Sequence, residues 1–516
     1  MKATATLLPR HLALAGMTAL LLAAQPLVAQ TKPTTSPAQP PAGALAQPAP
    51  APNGPFTLQS AVSYALEHNL NVRQSQLNAE LSDVTQRVGR GALLPTASLN
   101  GTQAWNYGTG VDPLTNDFVN QTIRSNNFSA TTQLTLFSGF QLRNTVKRNA
   151  LDYEASLGDV EKARNDLSLN VASSYLQLVL AEELIRANQV RLNSTQQQVE
   201  RTQKLLKAGS VAESNLLDSR AQLASDELSV ITAQNQRDLA RLTLVQLLNL
   251  DAAGAAAFRI DTPQLPDPDD VAAYDAEPSA IYETALTLQP DVKAADLRVR
   301  SAQLGVEVAR GAYLPRLTFA ASVYTGFSSS RLGRVFAGDS TEAIPVPVVQ
   351  FVNGQAVPTT FAVVPGKQAI PDFLPTKFST QLKDNLGRQL QFNLSIPILN
   401  GFQARTNVQR AQVNSRQAEL QAEQTRLTLR QNIQQAAADA LAAQRQFTSS
   451  KRQVEALTTA YRNAEIRFNN GLLNGTEFNI AKNNLAAAES TMIQNKYSFI
   501  FRRKVLDFYQ GRPLAL

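Results

Sequence analysis

Arg90-Gly91-Ala92-Leu93-Leu94-Pro95 returns 220 residues later as Arg310-Gly311-Ala312-Tyr313-Leu314-Pro315. At the same offset Val72 meets Val292, Leu77 meets Leu297, and Val88 meets Val308. A second stretch matches at an offset of 262, where Phe137-Ser138-Gly139-Phe140-Gln141 answers Leu399-Asn400-Gly401-Phe402-Gln403. With no gap, Gly209 then falls on Gly471 and Leu223 on Leu485. Shared punctuation over so many positions marks an internal duplication, which sets the unit of architecture. The offsets differ by 42, so the second copy carries about that many extra residues between Pro315 and Ile396. The insertion includes residues 328–378, rich in Gly, Pro, Val and Ser, which read as a long extra loop.

Around each Leu-Pro and each Gly-Phe the apolar period is two, the period of a strand. Leu390, Phe392, Leu394, Ile396 and Ile398 alternate with Gln391, Asn393, Ser395 and Pro397. Phe128, Ala130, Thr132, Leu134 and Leu136 form the matching face in the first copy. Each copy is therefore expected to hold one strand–loop–strand pair, near 94–107 and 127–138, then near 314–327 and 388–399. The second face is uncharged Asn, Gln, Ser and Thr, which suits a water-filled lumen. A half-buried soluble sheet shows the same alternation, so the pattern alone leaves both open. Trp105, Tyr107, Tyr324 and Phe327 near the loop-side ends suit an interfacial aromatic girdle.

The other segments read as long helices. Residues 141–208 contain no Pro and only Gly158, and 402–470 contain neither Pro nor Gly. At 1.5 Å per residue each extends roughly 100 Å. Each ends at a glycine, Gly209 or Gly471, turns within a few residues, and returns as a helix over 213–250 or 476–510. The stripes are rich in Ala, Ser and Gln, as helices packed edge to edge around a hollow tube require. An ordinary long coiled coil is the alternative on helix pattern alone.

Lys2, Arg10 and His11 precede an apolar run, Leu12 to Ala24, and Leu27-Val28-Ala29 precedes Gln30. Residues 1–29 thus read as a secretory signal peptide, and 30–55 as a disordered Pro/Ala-rich linker. The two repeats then occupy 56–250 and 278–511, joined by an acidic, Pro-containing linker at 251–277. The chain has no cysteine, so disulfides and a lipidated cysteine are excluded. Its formal charge of +7, with no Lys/Arg cluster interleaved with aromatics, argues against nucleic acid as a partner. Only His11 and His68 occur, and no P-loop or dinucleotide fingerprint appears. Familiar zinc, thiol and Ser/His chemistry has no residues to work with, and no cofactor is expected. His68 beside Asn69 suits a structural or capping position near a helix end. No stretch after the leader approaches a membrane-spanning helix, so the integral option is a β-barrel. Four strands are too few to close, because such barrels start at eight. If the strands meet lipid, the chain must therefore oligomerise.

Helix–helix–strand–strand–long helix–helix, performed twice, resembles the TolC-like outer-membrane efflux proteins. The residues that carry the resemblance are Gly91 to Pro95 and Gly311 to Pro315, Phe137 to Phe140 and Leu399 to Phe402, and the turns at Leu206 to Gly209 and Arg467 to Gly471. It runs from about Phe56 to Gly511. The resemblance implies a mainly α fold with a membrane β-barrel, twelve strands shared by three chains, above a long α-helical periplasmic tunnel. It implies a homotrimer in the outer membrane of a Gram-negative bacterium, in contact with outer-membrane lipid. Its role would be that of a passive exit duct, not an enzyme, in a tripartite efflux or type I secretion system. The partners would be an inner-membrane transporter and a periplasmic adaptor, the latter contacting tip turns at Gly209, Ser210, Gly471 and Leu472. Asp218 and Glu477 match acidic positions that ring the pore entrance in relatives, while Asn215 and Ile480 depart from that pattern. Solvated helix carboxylates are the plain alternative for Asp218 and Glu477. The alternative for the whole chain is a soluble periplasmic coiled-coil adaptor or scaffold, and a hydrolase on a helical scaffold is a more distant third.

Overall fold

The structure, a computed structural model, describes residues 54–111, 118–261, 277–340, 343–365 and 368–512. The expected signal peptide, nearly all of the Pro/Ala-rich linker and most of the inter-repeat linker lie outside the described residues.

The first copy runs α1 (Leu58–His68), α2 (Leu70–Gly91), β1 (Thr96–Val111), β2 (Phe118–Ser138), α3 (Gln141–Lys207) and α4 (Glu213–Leu248). A short helix, α5 (Ala252–Ala257), follows. The second copy begins with α6 (Pro278–Leu288), α7 (Pro290–Arg310) and β3 (Arg316–Ser328). Next come β4 (Leu332–Ser340), β5 (Ala343–Val352), β6 (Gln355–Pro365), β7 (Gln368–Pro375) and α8 (Phe378–Asp384). It ends with β8 (Gly387–Ser395), α9 (Gln403–Asn469) and α10 (Gly475–Tyr509).

The break between α1 and α2 has a local cause. Asn69 accepts from the Asn71 amide at 2.9 Å, capping α2, and its amide donates to the Leu247 carbonyl at 3.0 Å. Its counterpart is Gln289, and there Pro290 at the first helical position does the work, since its missing N–H is one a helix start leaves unpaired anyway. His68 is structural: its ring stacks on Tyr64 at 4.1 Å and Nδ1 lies 2.9 Å from the Tyr64 carbonyl.

The two longest helices, α3 and α9, have 67 residues each. Along α9 the buried positions Ser415, Ala422 and Leu429, and then Ile433, Ala440 and Phe447, follow seven-residue steps. Small residues on this stripe let α7 and α10 approach closely. Gly158 on α3 serves the same end, because a Cβ there would meet the Ala294 methyl at 2.9 Å.

β1, β2, β3 and β8 form one antiparallel sheet in that order. Ala97 opposes Thr132 and Leu99 opposes Ala130, while Leu317 opposes Leu394 and Phe319 opposes Phe392. Applying the offsets of 220 and 262 to the first two pairs yields the second two without adjustment. One face carries rows such as Leu134–Phe319–Phe392 and the other rows such as Ser98–Thr131–Ser322–Gln389. On the polar face Ser98 and Thr131 share a hydroxyl hydrogen bond of 2.8 Å.

Two readings need correction. Tyr324 does not join the aromatic girdle with Trp105, Tyr107 and Phe327. It opposes Ser129 on the polar face, and its ring fills the space a Cβ on Gly387 would need. Strand parity, which separates residues by face, decides this over proximity in sequence. Residues 328–378, read as a long loop, hold two antiparallel pairs, β4 with β7 and β5 with β6, and α8 starts at their end. Asn353 and Gly354, at φ of 52° and 80°, supply the left-handed pair that a tight hairpin turn demands. Counted from that turn, Pro345, Pro347 and Pro358 occupy positions whose N–H would point away from the partner strand. The ladder keeps its bonds, and the ribbon's outer edges lose donors.

Both strand-to-helix corners use two left-handed residues in succession, Gly139-Phe140 and Gly401-Phe402. The Phe140 ring rests edge-on against Phe137 at 5.3 Å. Gly139 presses on the end of α7: a Cβ there would sit 2.3 Å from the Gly311 carbonyl oxygen. Gln141 Nε2 donates to the Val308 carbonyl beside it at 3.1 Å. Gly139→Ala should therefore lower the thermal midpoint, followed by circular dichroism in detergent, further than Gly209→Ala. The latter enters open space and loses only the left-handed preference, about 1 kcal/mol. Equal shifts would contradict the close approach.

Candidate functional site

The hairpin tips are built alike. After α3, Gly209 at φ 70° donates to the Leu206 carbonyl at 2.9 Å and Ser210 to that of Leu205 at 2.9 Å. After α9, Gly471 at φ 72° donates to Phe468 at 3.1 Å and Leu472 to Arg467 at 2.8 Å. Both are Schellman endings, in which glycine takes the conformation that lets the last carbonyls find donors. The return helices start differently. Asn474 caps α10 by accepting from the Glu477 amide at 2.8 Å, whereas Ala212 gives α4 no side-chain cap. The tips lie side by side: Asn215 Oδ1 comes within 3.8 Å of the position a Cβ on Gly475 would take. Glu477 stands in the first turn of α10 and Asp218 in the second turn of α4, both exposed. At the second tip Phe478 stacks on Phe468 at 4.6 Å and leans on Tyr461 at 5.7 Å.

Further along the hairpins lies a buried polar network that joins the two copies. Asp226 on α4 is 1% exposed, Thr195 on α3 is 2% exposed, and Lys482 on α10 is 7% exposed. Lys482 Nζ donates to the Thr195 hydroxyl at 2.6 Å, and that hydroxyl donates in turn to the Asp226 carboxylate. Gln222 Nε2 donates to Asp226 Oδ1 at 3.0 Å and exchanges amide hydrogen bonds with Asn483 at 3.0 and 2.9 Å. Arg191 Nε stands 3.0 Å from the same carboxylate as an ion pair, without hydrogen-bond alignment. Burial pushes the Lys482 ammonium below the usual lysine range, Asp226 partly offsets this, and Arg191 adds to it. Burial raises the nearby Glu489 carboxyl, with Arg191 pulling the other way.

This network was missed in the sequence although a signal existed. Ser219, Asp226 and Ala233 are seven apart on the buried stripe of α4, and Phe478, Lys482 and Ala486 are four apart on that of α10. An acid and a base in core positions of two helices call for a partner, since buried charges are paired or very costly.

Among the described residues no group of three or more His, Cys, Asp or Glu side chains could hold a metal ion. No helix among them is long and apolar enough to cross a membrane.

Paired helical hairpins carrying a four-stranded sheet, two-faced and open at both edges, define a TolC-like channel protomer. The chain belongs to the family described as Outer membrane efflux protein, whose model it matches over residues 61–250 and 378–511. It is an outer-membrane protein with a helical periplasmic extension. Its fold is similar to that of the CmeC outer membrane channel of Campylobacter jejuni, with a TM-score of 0.69 at 18% identity over 89% of this chain and 87% of that one. VceC of Vibrio cholerae gives 0.68 at 14% identity, over 89% and 97%. In sequence it is 24% identical over 267 residues to the pyoverdine export outer membrane protein OpmQ of Pseudomonas aeruginosa, 49% of this chain and 52% of that protein. It is 26% identical over 293 residues to the toluene efflux pump outer membrane protein TtgF of Pseudomonas putida, 55% and 56% of the two chains. The chain spans about half the length of the relatives it matches in sequence.

The buried network yields a stability prediction. Asp226→Ala leaves Lys482 and Arg191 facing each other without an acid, and should cost about 3–5 kcal/mol. Lys482→Met should cost less than that, because it removes a desolvated charge while Asp226 keeps Thr195, Gln222 and Arg191. Chemical denaturation of each variant in detergent checks the order; a harmless Asp226→Ala would contradict the network.

Proposed function

We propose that the chain is the exit duct of a tripartite efflux or type I secretion system, working as a homotrimer. The observation that carries this reading is the sheet: one largely apolar face, one face rich in Asn, Gln, Ser and Thr, and unpaired edges at β1 and β8. In hydrocarbon each unpaired backbone group costs several kcal/mol, so roughly ten of them cost tens. Association costs on the order of 4–15 kcal/mol, so closure by several chains wins. Three chains of four strands make a barrel of twelve, with the Asn, Gln, Ser and Thr face turned to a water-filled lumen. A soluble adaptor, the alternative, would leave Leu390, Phe392 and Leu394 in water; all three are exposed in the single chain.

The duct performs no chemistry and takes no cofactor. An inner-membrane transporter supplies the energy, and a periplasmic adaptor docks on the tip turns at Gly209, Ser210, Gly471 and Leu472. Asp218 and Glu477, exposed near the tips, contribute negative charge to the pore entrance. Detergent-purified protein should migrate as a trimer when unheated, collapse to a monomer on boiling, and conduct ions across planar bilayers. A monodisperse monomer without conductance would overturn the proposal.

A further inference from the structure

The four strands of the sheet contain three charged residues, Arg124, Arg316 and Arg388, and no Asp, Glu or Lys. Strand parity sorts them between the faces. Arg316 opposes Ser138 and Ser395 on the face of Asn, Gln, Ser and Thr. Arg124 opposes Trp105, and Arg388 opposes Val323, on the face of Leu99, Phe319 and Leu390. The lipid-facing side of these strands thus carries two cations and no anion. Both lie toward the loop-side ends, whereas the helix-side end of the same face reads Phe137, Leu317 and Leu394. A charge on a lipid-facing strand is costly at the midplane and tolerated near the interface, so both arginines belong among headgroups.

The duplication brings the two together across a seam. Asn126 opposes Phe327, and the offsets of 262 and 220 carry that pair to Arg388 and Tyr107 of the next chain. Arg388 of one chain and Arg124 of the next then stand on either side of β1, level with Tyr107 and Trp105. Two strand spacings across and two residues along set their Cα atoms roughly 12 Å apart. The Arg124 guanidinium lies over the Phe327 ring at 5.4 Å, on the side away from β1, which widens the span. Phe327 is itself held against Phe378 at 5.1 Å.

Neither arginine is committed elsewhere. Both are exposed, and among the described residues neither side chain takes part in an ion pair or a hydrogen bond. Neither has a basic counterpart in the other copy, where Leu386 and Asn126 stand, so the pair is no by-product of duplication. A guanidinium offers five N–H donors in a planar fork that matches phosphate oxygens.

We infer that Arg388 of one chain and Arg124 of the next clamp an anionic lipid headgroup with two phosphates, seated over Trp105 and Tyr107 and bridging the chains. This inference rests on the trimeric barrel proposed above. The rows of Leu99, Val323 and Leu390 beneath the arginines give acyl chains a surface that a free anion would leave unused. The helical extension is periplasmic, so the loop-side rim places this lipid in the outer leaflet.

Trp105 is the only tryptophan in the chain, so its emission reports occupancy of the clamp. The purified trimer, stripped of lipid in dodecyl maltoside, is titrated with diphosphorylated lipid A as the probe. Monophosphoryl lipid A, phosphatidylcholine and inorganic phosphate are compared with it. Diphosphorylated lipid A should shift the emission saturably and raise the temperature at which the trimer dissociates on gels. Arg124→Gln and Arg388→Gln should each raise the half-saturating concentration about tenfold, the loss expected for one charge-assisted contact. Arg316→Gln, the same change of charge on the opposite face, should leave it unchanged. Equal affinity in all three variants, or for all three lipids, overturns the inference, as does displacement of lipid A by an equal concentration of inorganic phosphate. An unmodified chain that is monomeric as extracted from the membrane overturns the duct itself. A conducting trimer with no response to lipid A overturns the clamp alone, so the two failures are distinguishable.

Discussion

A β-sheet in hydrocarbon has no water to satisfy its edges, and the rest of this molecule follows from that constraint. Four strands with an apolar face cannot remain an open sheet in a bilayer, and four strands cannot close. The remedy lies in copies: two within the chain, and more chains beyond it. The long helices inherit the same arithmetic, since a helix that continues from each corner of a closed barrel must take its place in a ring. Small residues along their stripes keep the helices close enough for that ring to be a wall.

Duplication makes the two copies alike without making them identical, and the differences gather at the insertion and the hairpin tips. At the sheet the register of copy two is that of copy one, shifted by the offsets alone. Both corners spend a left-handed Gly-Phe pair on turning strand into helix, a conformation that non-glycine residues enter only at a cost of roughly 1–2 kcal/mol. A cost accepted twice at the same place marks a shape the assembly requires. At the tips the likeness ends. The second hairpin has an aromatic clamp of Tyr461, Phe468 and Phe478, where the first has Val199, Leu206 and Leu216. The buried acid Asp226 has no acidic counterpart, since Ala488 stands in its place.

Much of this was legible in the residues because periodicity and punctuation are local. Alternation at 390–395, the glycines at 209 and 471, and the repeated Gly-Phe corners each declare their element within a few positions, although the alternation continues to Ile398 while the strand stops at Ser395, short of Pro397. What was not legible depended on the third dimension. Tyr324 sits one residue from Val323 and was grouped with the girdle, yet strand parity sends it to the polar face. The insertion reads as a loop because its prolines and glycines mimic a coil; only the pairing of β5 with β6 shows that those prolines spare the ladder. The Asp226–Thr195–Lys482 chain joins residues 31 and 287 positions apart, beyond the reach of any pattern within one helix. Asp218 and Glu477 were chosen by family likeness, while the buried charged groups Asp226 and Lys482 stand eight and five residues along the same helices.

Closure of the barrel pairs β8 of one chain with β1 of the next, as β2 pairs with β3 within a chain. Ser129 opposes Tyr324, and the two offsets carry that pair to Gln391 and Ala104. The direct measurement is disulfide formation in the unheated outer-membrane protein carrying Gln391→Cys and Ala104→Cys, set against Gln391→Cys with Asn106→Cys and with Thr102→Cys. Efficient covalent trimers are expected from the first pair, with little from the two pairs displaced by two residues. Absence of interchain disulfide in the first pair, or a preference for a displaced pair, would contradict it.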